Sequence, residues 1–385
     1  VEQPPLSVVR VPHVWSTGEP FPSASYWLRV YDTSGDLQAI VTDFSYIALT
    51  RSVNAPGRME FGIDGDHSLL SSIQKNWMVD VYREPYDNDP YIEFSGLYRK
   101  FSWDYQDQSR AVLTCVGLKQ LLQWRHILYY AGTANRTSFT ATEAETIANT
   151  LVKYNATTSG TTGDGRIRLA ANGYPYTNLT VETDGGAGNS INVYCSWRNL
   201  LETLQDVAEI GGGDFDIVKT STTAWQFRWY EGQLGTDLTA SIVFSMNKDN
   251  MITPAWEEDA TSEQTVAIVA GQGEGDARTV RTVTGTDYSA TNDIETFVDA
   301  RDVNDTDILD DRGSETLSKA ELIRTFDFEV LQEREALYGV DYELGDLVTA
   351  INPVDDTSYT MKIEKVTLTF DENGAETVDI DVKET

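Results

Sequence analysis

Residues 271–278, GQGEGDAR, set three alternating glycines behind the apolar run TVAIVAG. Such glycines wrap a phosphate when a helix N-terminus lies directly behind them and, usually, a lysine reaches in, because free N–H groups and the helix dipole then hold the anion. Neither follows here: Asp276 and the strand-like ARTVRTVTG come next, and Glu274 adds like charge. The glycines are therefore expected to close a hairpin. A second candidate is the run Asp302, Asp305, Asp307, Asp310 and Asp311. Carboxylates this close could ligate calcium, but the loop lacks the sixth-position glycine and the closing glutamate of a helix–loop–helix site. A solvated helix start, with acids favoured by the dipole, is the reading adopted, and calcium is the alternative.

The remaining reactive residues form no pattern. His13, His67 and His126 fall in a proline-rich arm, near a helix start and in an apolar helical stretch, and no HExxH pair, G-x-S-x-G elbow or Walker lysine occurs. With 61 acidic residues, carboxylate pairs at glycosidase separation arise by chance and carry no signal. Cys115 and Cys195 are far apart in sequence and read as small core residues. The sequence assigns no catalytic, cofactor-binding or metal-ligating residue. The interleaved stretches RKFSWDY and WQFRWYEG could suggest a stacking platform for bases. They are read instead as strands with aromatic residues on a core face and basic residues opposite.

Bulk properties narrow the classes. The net charge is −32, from 29 basic and 61 acidic residues, a field that repels nucleic acid and anionic lipid. From Met251 to Thr385 there are 33 acidic and 10 basic residues, so the last third holds −23 of that charge. Hydrophobic content of 40% with 11% aromatics is enough to build cores. No apolar run reaches the roughly 18 residues of a spanning helix, and the start, VEQPPLSVVRVPHVW, lacks the basic-then-apolar order of a signal peptide.

The elements that would position any site divide into four sections. Residues 1–20, with Pro4, Pro5, Pro12 and Pro20, read as an extended arm. Residues 21–126 are strand-rich: SYWLRVYDTSGDLQAIV is a hairpin, NWMVDVYREPYDNDPYIEFSGLYRKFSWDYQDQSRAVLTCVG holds further strands interrupted at 87–90, and Asp66 is expected to cap a short helix bearing Leu69, Leu70 and Ile73. Residues 127–255 read as α+β, with a capping box from Thr142 and Glu145, a loop over 155–176, a second helix capped by Ser196 and ended by Gly211, Gly212 and Gly213, and then a hairpin. Residues 256–385 are strand-rich again; in SYTMKIEKVTLTF the apolar phase shifts after Ile363, which predicts a bulge. The fold class is mainly β, α+β: two small barrel-like units flanking an α+β unit.

In order and spacing, AGQGEGDAR, DARDVNDTDILDDRGSETLSKAE, YGVDYELGDLVTAI and MKIEKVTLTF resemble the hub proteins at the tail tip or baseplate of long-tailed bacteriophages and contractile injection machines. The likeness is strongest over the last 130 or so residues, with YGVDYELGDLVTAI its most specific part. It implies a homotrimer in which each chain supplies two barrel-like domains, making a pseudo-sixfold ring. The implied partners are a hexameric tail tube protein, a tape-measure protein and a fibre, spike or receptor-binding protein. The implied place is the virion tail tip, the role is structural, and no catalytic residue carries over. DNA passing through the ring is expected to meet acids, because lysine or arginine contacts to phosphate would hold it. The alternatives from other classes are a carbohydrate-binding, adhesin-like β protein and a polysaccharide hydrolase.

Overall fold

The computed structural model describes residues 24–85, 88–105, 109–128, 138–160, 173–331 and 336–384. The arm at 1–20 with His13, part of the 87–90 interruption and most of the 155–176 loop lie outside them, while Asn155 and Ala156, assigned to that loop, belong to the end of a helix. From Ala24 the chain lays down β1 (Ser25–Tyr31), β2 (Leu37–Val41), β3 (Tyr46–Ser52), β4 (Ala55–Asp64), β5 (Met78–Glu84), β6 (Tyr91–Tyr105) and β7 (Ser109–Gly117), then one turn of helix, α1 (Gln120–Gln123). The middle section holds β8 (Ser138–Glu143), α2 (Ala144–Ala156), β9 (Leu179–Val181), β10 (Ser190–Tyr194), α3 (Leu200–Gly211), β11 (Gly213–Lys219) and β12 (Trp225–Glu231). The last section holds β13 (Val243–Phe244), β14 (Met251–Asp259), β15 (Val266–Ala270), β16 (Val280–Thr284), β17 (Glu295–Asp299), α4 (Thr306–Ser318), β18 (Ile323–Val330), β19 (Leu347–Ile351), β20 (Ser358–Phe370) and β21 (Glu376–Glu384).

One 13-stranded sheet runs β14-β18-β21-β20-β3-β4-β7-β6-β5-β1-β2, with β19 also on β20 and β13 on β19. The two strand-rich sections meet at β3 and β20, where Ile47 faces Phe370 and Ser52 faces Lys365. Their inner faces share one core that includes Leu28, Phe61, Phe94, Phe326, Val366 and Ile380. Two barrel-like units were expected; among the described residues the strand path is open, ending at β2 and β14. Alternation along a strand reports which face is buried and says nothing of which strand lies alongside. The bulge expected in β20 is present, with the register to β21 shifting between Ile363 and Lys365. Just there β20 exchanges one neighbour for another, pairing with β19 through Lys362 and with β3 from Lys365 onward.

On the outer face of β18 and β21, Asp327 lies opposite Asp381 and Glu329 opposite Asp379, so like charges face each other across the ladder. Burial, then Asp381, pushes the Asp327 carboxyl above its ordinary range. A raised acid is free of penalty below its unfolded value and costs stability as pH rises through the folded one. Asp327→Asn is therefore expected to stabilise the protein at pH 7 by about 0.3–0.5 kcal/mol, a screened cross-strand term. Urea melts should show that gain vanishing toward acid.

A second core collects α2, α3 and the sheet β11-β12-β9, including Leu151, Leu204, Trp225 and Phe227, together with Met78, Leu97 and Leu121 from the first section. Both helices begin differently from expectation. Asn199, not Ser196, caps α3, its Oδ1 accepting from Leu201 N at 3.0 Å, and Trp197 stays outside the helix at φ +67°. Glu145 closes no capping box: its carboxylate accepts from Gly185 N and Ala187 N at 2.9 and 2.8 Å. The short turn at Ser68–Ser71 is capped by His67 Nδ1, not Asp66. Several polar residues near each helix start could cap; His67 and Asn199 do, while no side chain caps α2.

A third, smaller body is the sheet β16-β15-β17 with α4 against it, packed around Ala267, Val269, Leu309 and Leu317. Here GQGEGDAR closes the β15–β16 hairpin, with Gly273 at φ +117° and Gly275 at φ +55°. Arg278 spends its donors on the loop itself, at 2.9 Å to Gly271 O and 2.7 Å to Ala270 O. It also pairs with Asp299.

Candidate interaction surfaces

Beyond Tyr98 the strand β6 loses one neighbour. Its pairing with β5 ends at Leu97, and only the bonds of Tyr98 with Asn76 and Trp77 continue that side. Residues 99–105 pair with β7 alone, and all seven are exposed. The hairpin arm so formed carries Phe101 at 48%, Trp103 at 54% and Tyr105 at 67% exposure. The last two rings stack with centroids 6.5 Å apart, and Trp103 Nε1 donates to Ser109 Oγ at 3.0 Å. Gly65 makes room for this arrangement, since a Cβ there would stand 2.7 Å from Trp103 Nε1.

RKFSWDY was expected to bury its aromatic residues, and it does not. The alternation is real, but among the described residues no layer covers that part of the sheet. WQFRWYEG, identical in pattern, buries Trp225, Phe227 and Trp229 because α2 packs over β12. A two-stranded arm with a free edge and three large exposed rings is a docking surface in physical terms. Among the described residues β2 is a second free edge, with Leu37 and Ile40 exposed.

Beneath the seam of the large sheet lies a buried polar cluster. Arg83 on β5 is 3% exposed. Its Nε and Nη2 grip both oxygens of Glu376 at 2.8 and 3.0 Å, and its Nη1 donates to Tyr91 Oη at 3.0 Å and Tyr338 O at 2.9 Å. Glu93 on β6 accepts from Arg51 at 2.9 Å, Tyr338 Oη at 2.8 Å and Tyr91 Oη at 2.7 Å. Tyr26 Oη donates to Glu376 as well. Burial pushes the Glu93 carboxyl up, but Arg51 and Arg83 pull harder, and it ends below the ordinary range. Burial keeps Tyr26, Tyr91 and Tyr338 protonated. Two guanidiniums balance two carboxylates, and the group clasps residues 293 positions apart in sequence.

Two further clasps tie the remaining bodies down. Asp214, 1% exposed, accepts from Lys362 Nζ and Asn54 Nδ2, each at 2.8 Å, while Asn54 Oδ1 accepts from Phe215 N at 2.7 Å. Lys319 reaches Asp206 on α3 at 2.6 Å, and Asn192 donates to Asp311 at 2.8 Å. These last two contacts fix the small third body to the middle one, beside a cleft of about 250 Å³.

The residues singled out by type fall apart in space. Asp302 pairs with Arg312, Asp310 with Arg281 and Asp311 with Asn192, while Asp305 caps α4. Among the described residues no three His, Cys, Asp or Glu side chains converge as a metal site. His67 faces Asp43 at 3.2 Å. His126 bridges to Asn199 outside α1, because the helix expected around it ends at Gln123. Both cysteines are buried, and burial pushes the Cys195 thiol up to about 12.

Known structures share the overall fold. The 43 kDa tail protein of prophage MuSo2 from Shewanella oneidensis is similar with a TM-score of 0.59 at 15% identity, over 93% of this chain and 98% of that one. A tail protein from Neisseria meningitidis MC58 gives 0.57 at 10% identity, over 94% and 97%. Prophage tail protein gp18 from Listeria monocytogenes EGD-e gives 0.53 at 13% identity, over 93% and 94%. No curated protein matches in sequence. The family model described as Siphovirus ReqiPepy6 Gp37-like protein matches residues 27–382, and the chain therefore belongs to that family of phage tail proteins.

Proposed function

We propose that the chain is a non-enzymatic structural hub at the distal end of a phage tail. Three copies form a ring, each contributing two walls from its strand-rich sections, so that a hexameric tail tube can stack on a trimeric tip. The observation that carries this reading is the shared fold with phage tail proteins over almost the full length of both chains. The free hairpin at 99–105 supports it, since an isolated monomer has no use for three exposed rings. The proposed partners are further copies of the chain, the tube protein, the tape-measure protein and a fibre, spike or receptor-binding protein below. The ring closes the channel until ejection, and the acidic excess lines part of the path so that passing DNA is not retained. Opening draws on contacts that differ between two states.

Electron microscopy of the assembled particle tests this reading. Three copies should form an annulus on the tail axis, with six near-equivalent walls. A particle in which this chain sits off the axis, or supplies one wall instead of two, overturns it. Native mass measurement with the purified tube protein should show three chains per tube end.

A further inference from the structure

We propose that the small third body, β15–β17 with α4, is a hinged flap that swings between a closed and an open seat on the middle body. This holds for the isolated chain and does not rest on the hub reading, although a gated channel needs a two-state element of this kind. The chain enters the body from β14 and leaves it into β18, and these two strands lie side by side, with Asp259 opposite Ile323. The ladder of β18 with β21 begins at Thr325, so the two passages leave the sheet together as a two-stranded ribbon. Such a ribbon twists more freely than a wide sheet. The body itself is stiff. Gly313 lets α4 press onto its own sheet, where a Cβ would stand 2.6 Å from Val283 Cγ2. Val269, Val303, Leu309 and Leu317 belong to a core of its own, so it moves as a unit.

The seat is loose by comparison. α4 meets the middle body at β10, beside the cleft of about 250 Å³. Lys319 reaches Asp206 at 2.6 Å, and Asn192 Nδ2 donates to Asp311 at 2.8 Å. Asp206 also pairs with Arg198 of the middle body, and Lys319 pairs with Glu315 on α4 at 2.8 Å. Each charge of that clasp therefore keeps a partner when the flap leaves. Burial pushes the Asp311 carboxyl up, and Asp307 and Asp310 add like charge, so opening relieves it. A polar seat around a cleft, unlike a large apolar one, leaves relative motion of the two bodies as the default.

Pulsed electron resonance on the full chain tests the hinge, with spin labels on Glu202→Cys in α3 and Asn304→Cys ahead of α4, both exposed positions. The native cysteines are buried and stay unlabelled. The otherwise unchanged chain should show two distances, the shorter one dominant. Asn192→Asp keeps the oxygen that accepts from Ala141 N at 2.9 Å and sets a carboxylate oxygen against Asp311 in place of the donor. The ratio of long to short distances should rise about tenfold, the effect of losing one hydrogen bond to a charged group. Adding Asp311→Asn restores a donor–acceptor pair and should bring the short distance back. Lys319→Glu, at an exposed position, should open the seat independently. A single distance in the parent and in both single variants, or a long distance that arises only as the whole chain melts, overturns the proposal. The particle images described above bear on the ring and not on these distances, so the two readings fail separately.

Discussion

Replacing Phe101, Trp103 and Tyr105 together by serine leaves the isolated chain folded and removes it from assembled particles. The three rings are solvent-exposed on an arm that pairs on one side only, so their loss should change unfolding free energy by no more than about 0.5 kcal/mol. At an interface, buried aromatic anchors each contribute about 2–4 kcal/mol on truncation. With only two of the three acting as anchors, at the low end of that range, affinity already falls on the order of a thousandfold. Complementation of a particle lacking the native chain should therefore fall by about that factor, with circular dichroism and urea melts unchanged. Wild-type incorporation by the triple variant would assign the arm no role in docking. A drop in stability of several kcal/mol would mean that the rings pack in the monomer.

Arg83→Met is expected to be the most destabilising single exchange in the chain, at about 3–5 kcal/mol. Arg83 donates to Glu376, Tyr91 and the Tyr338 carbonyl from a position 3% exposed. Removing it leaves Glu376 buried without its cation, and an uncompensated buried charge costs more than the intact pair contributes. Arg83→Met with Glu376→Gln should recover a large part of the loss, and the double-mutant cycle reads the coupling directly. The pH profile supplies a second check. Because Glu93 is held below its ordinary range by Arg51 and Arg83, its contribution is present above the unfolded carboxylate value of about 4.3. It is lost as pH falls through the lower folded value. Urea melts of the wild type should steepen their decline in that acid window, and Arg83→Met should flatten it. A cost below about 1 kcal/mol, with an unchanged acid slope, would show that the cluster is solvated.

Local chemistry was the legible part of this fold. The β15–β16 turn followed from Asp276 and the strand after it, and the bulge in β20 followed from the phase change after Ile363, because both are decided by a few adjacent residues. Helix caps were half legible. A polar residue near the start was foreseen each time, but His67 and Asn199 hold the positions assigned to Asp66 and Ser196. The aromatic residues of β6 and β12 alternate with the same period and are opposite in burial, since α2 covers only β12. The clasp of Arg83 and Glu376 could not be read at all: nothing in either residue's neighbours announces a partner 293 positions away.

The pairing of β3 with β20 also sets a schedule. Ser52 waits for Lys365, and Ile47 for Phe370. At roughly 5–20 residues per second, the ribosome needs on the order of 15–60 s to make the chain between them. Throughout that interval the edge of β3 is without its neighbour and the first-section half of the large core has no lid. Synthesis thus leaves an early intermediate with a sticky border, and the strongly acidic last third, arriving late, seals it.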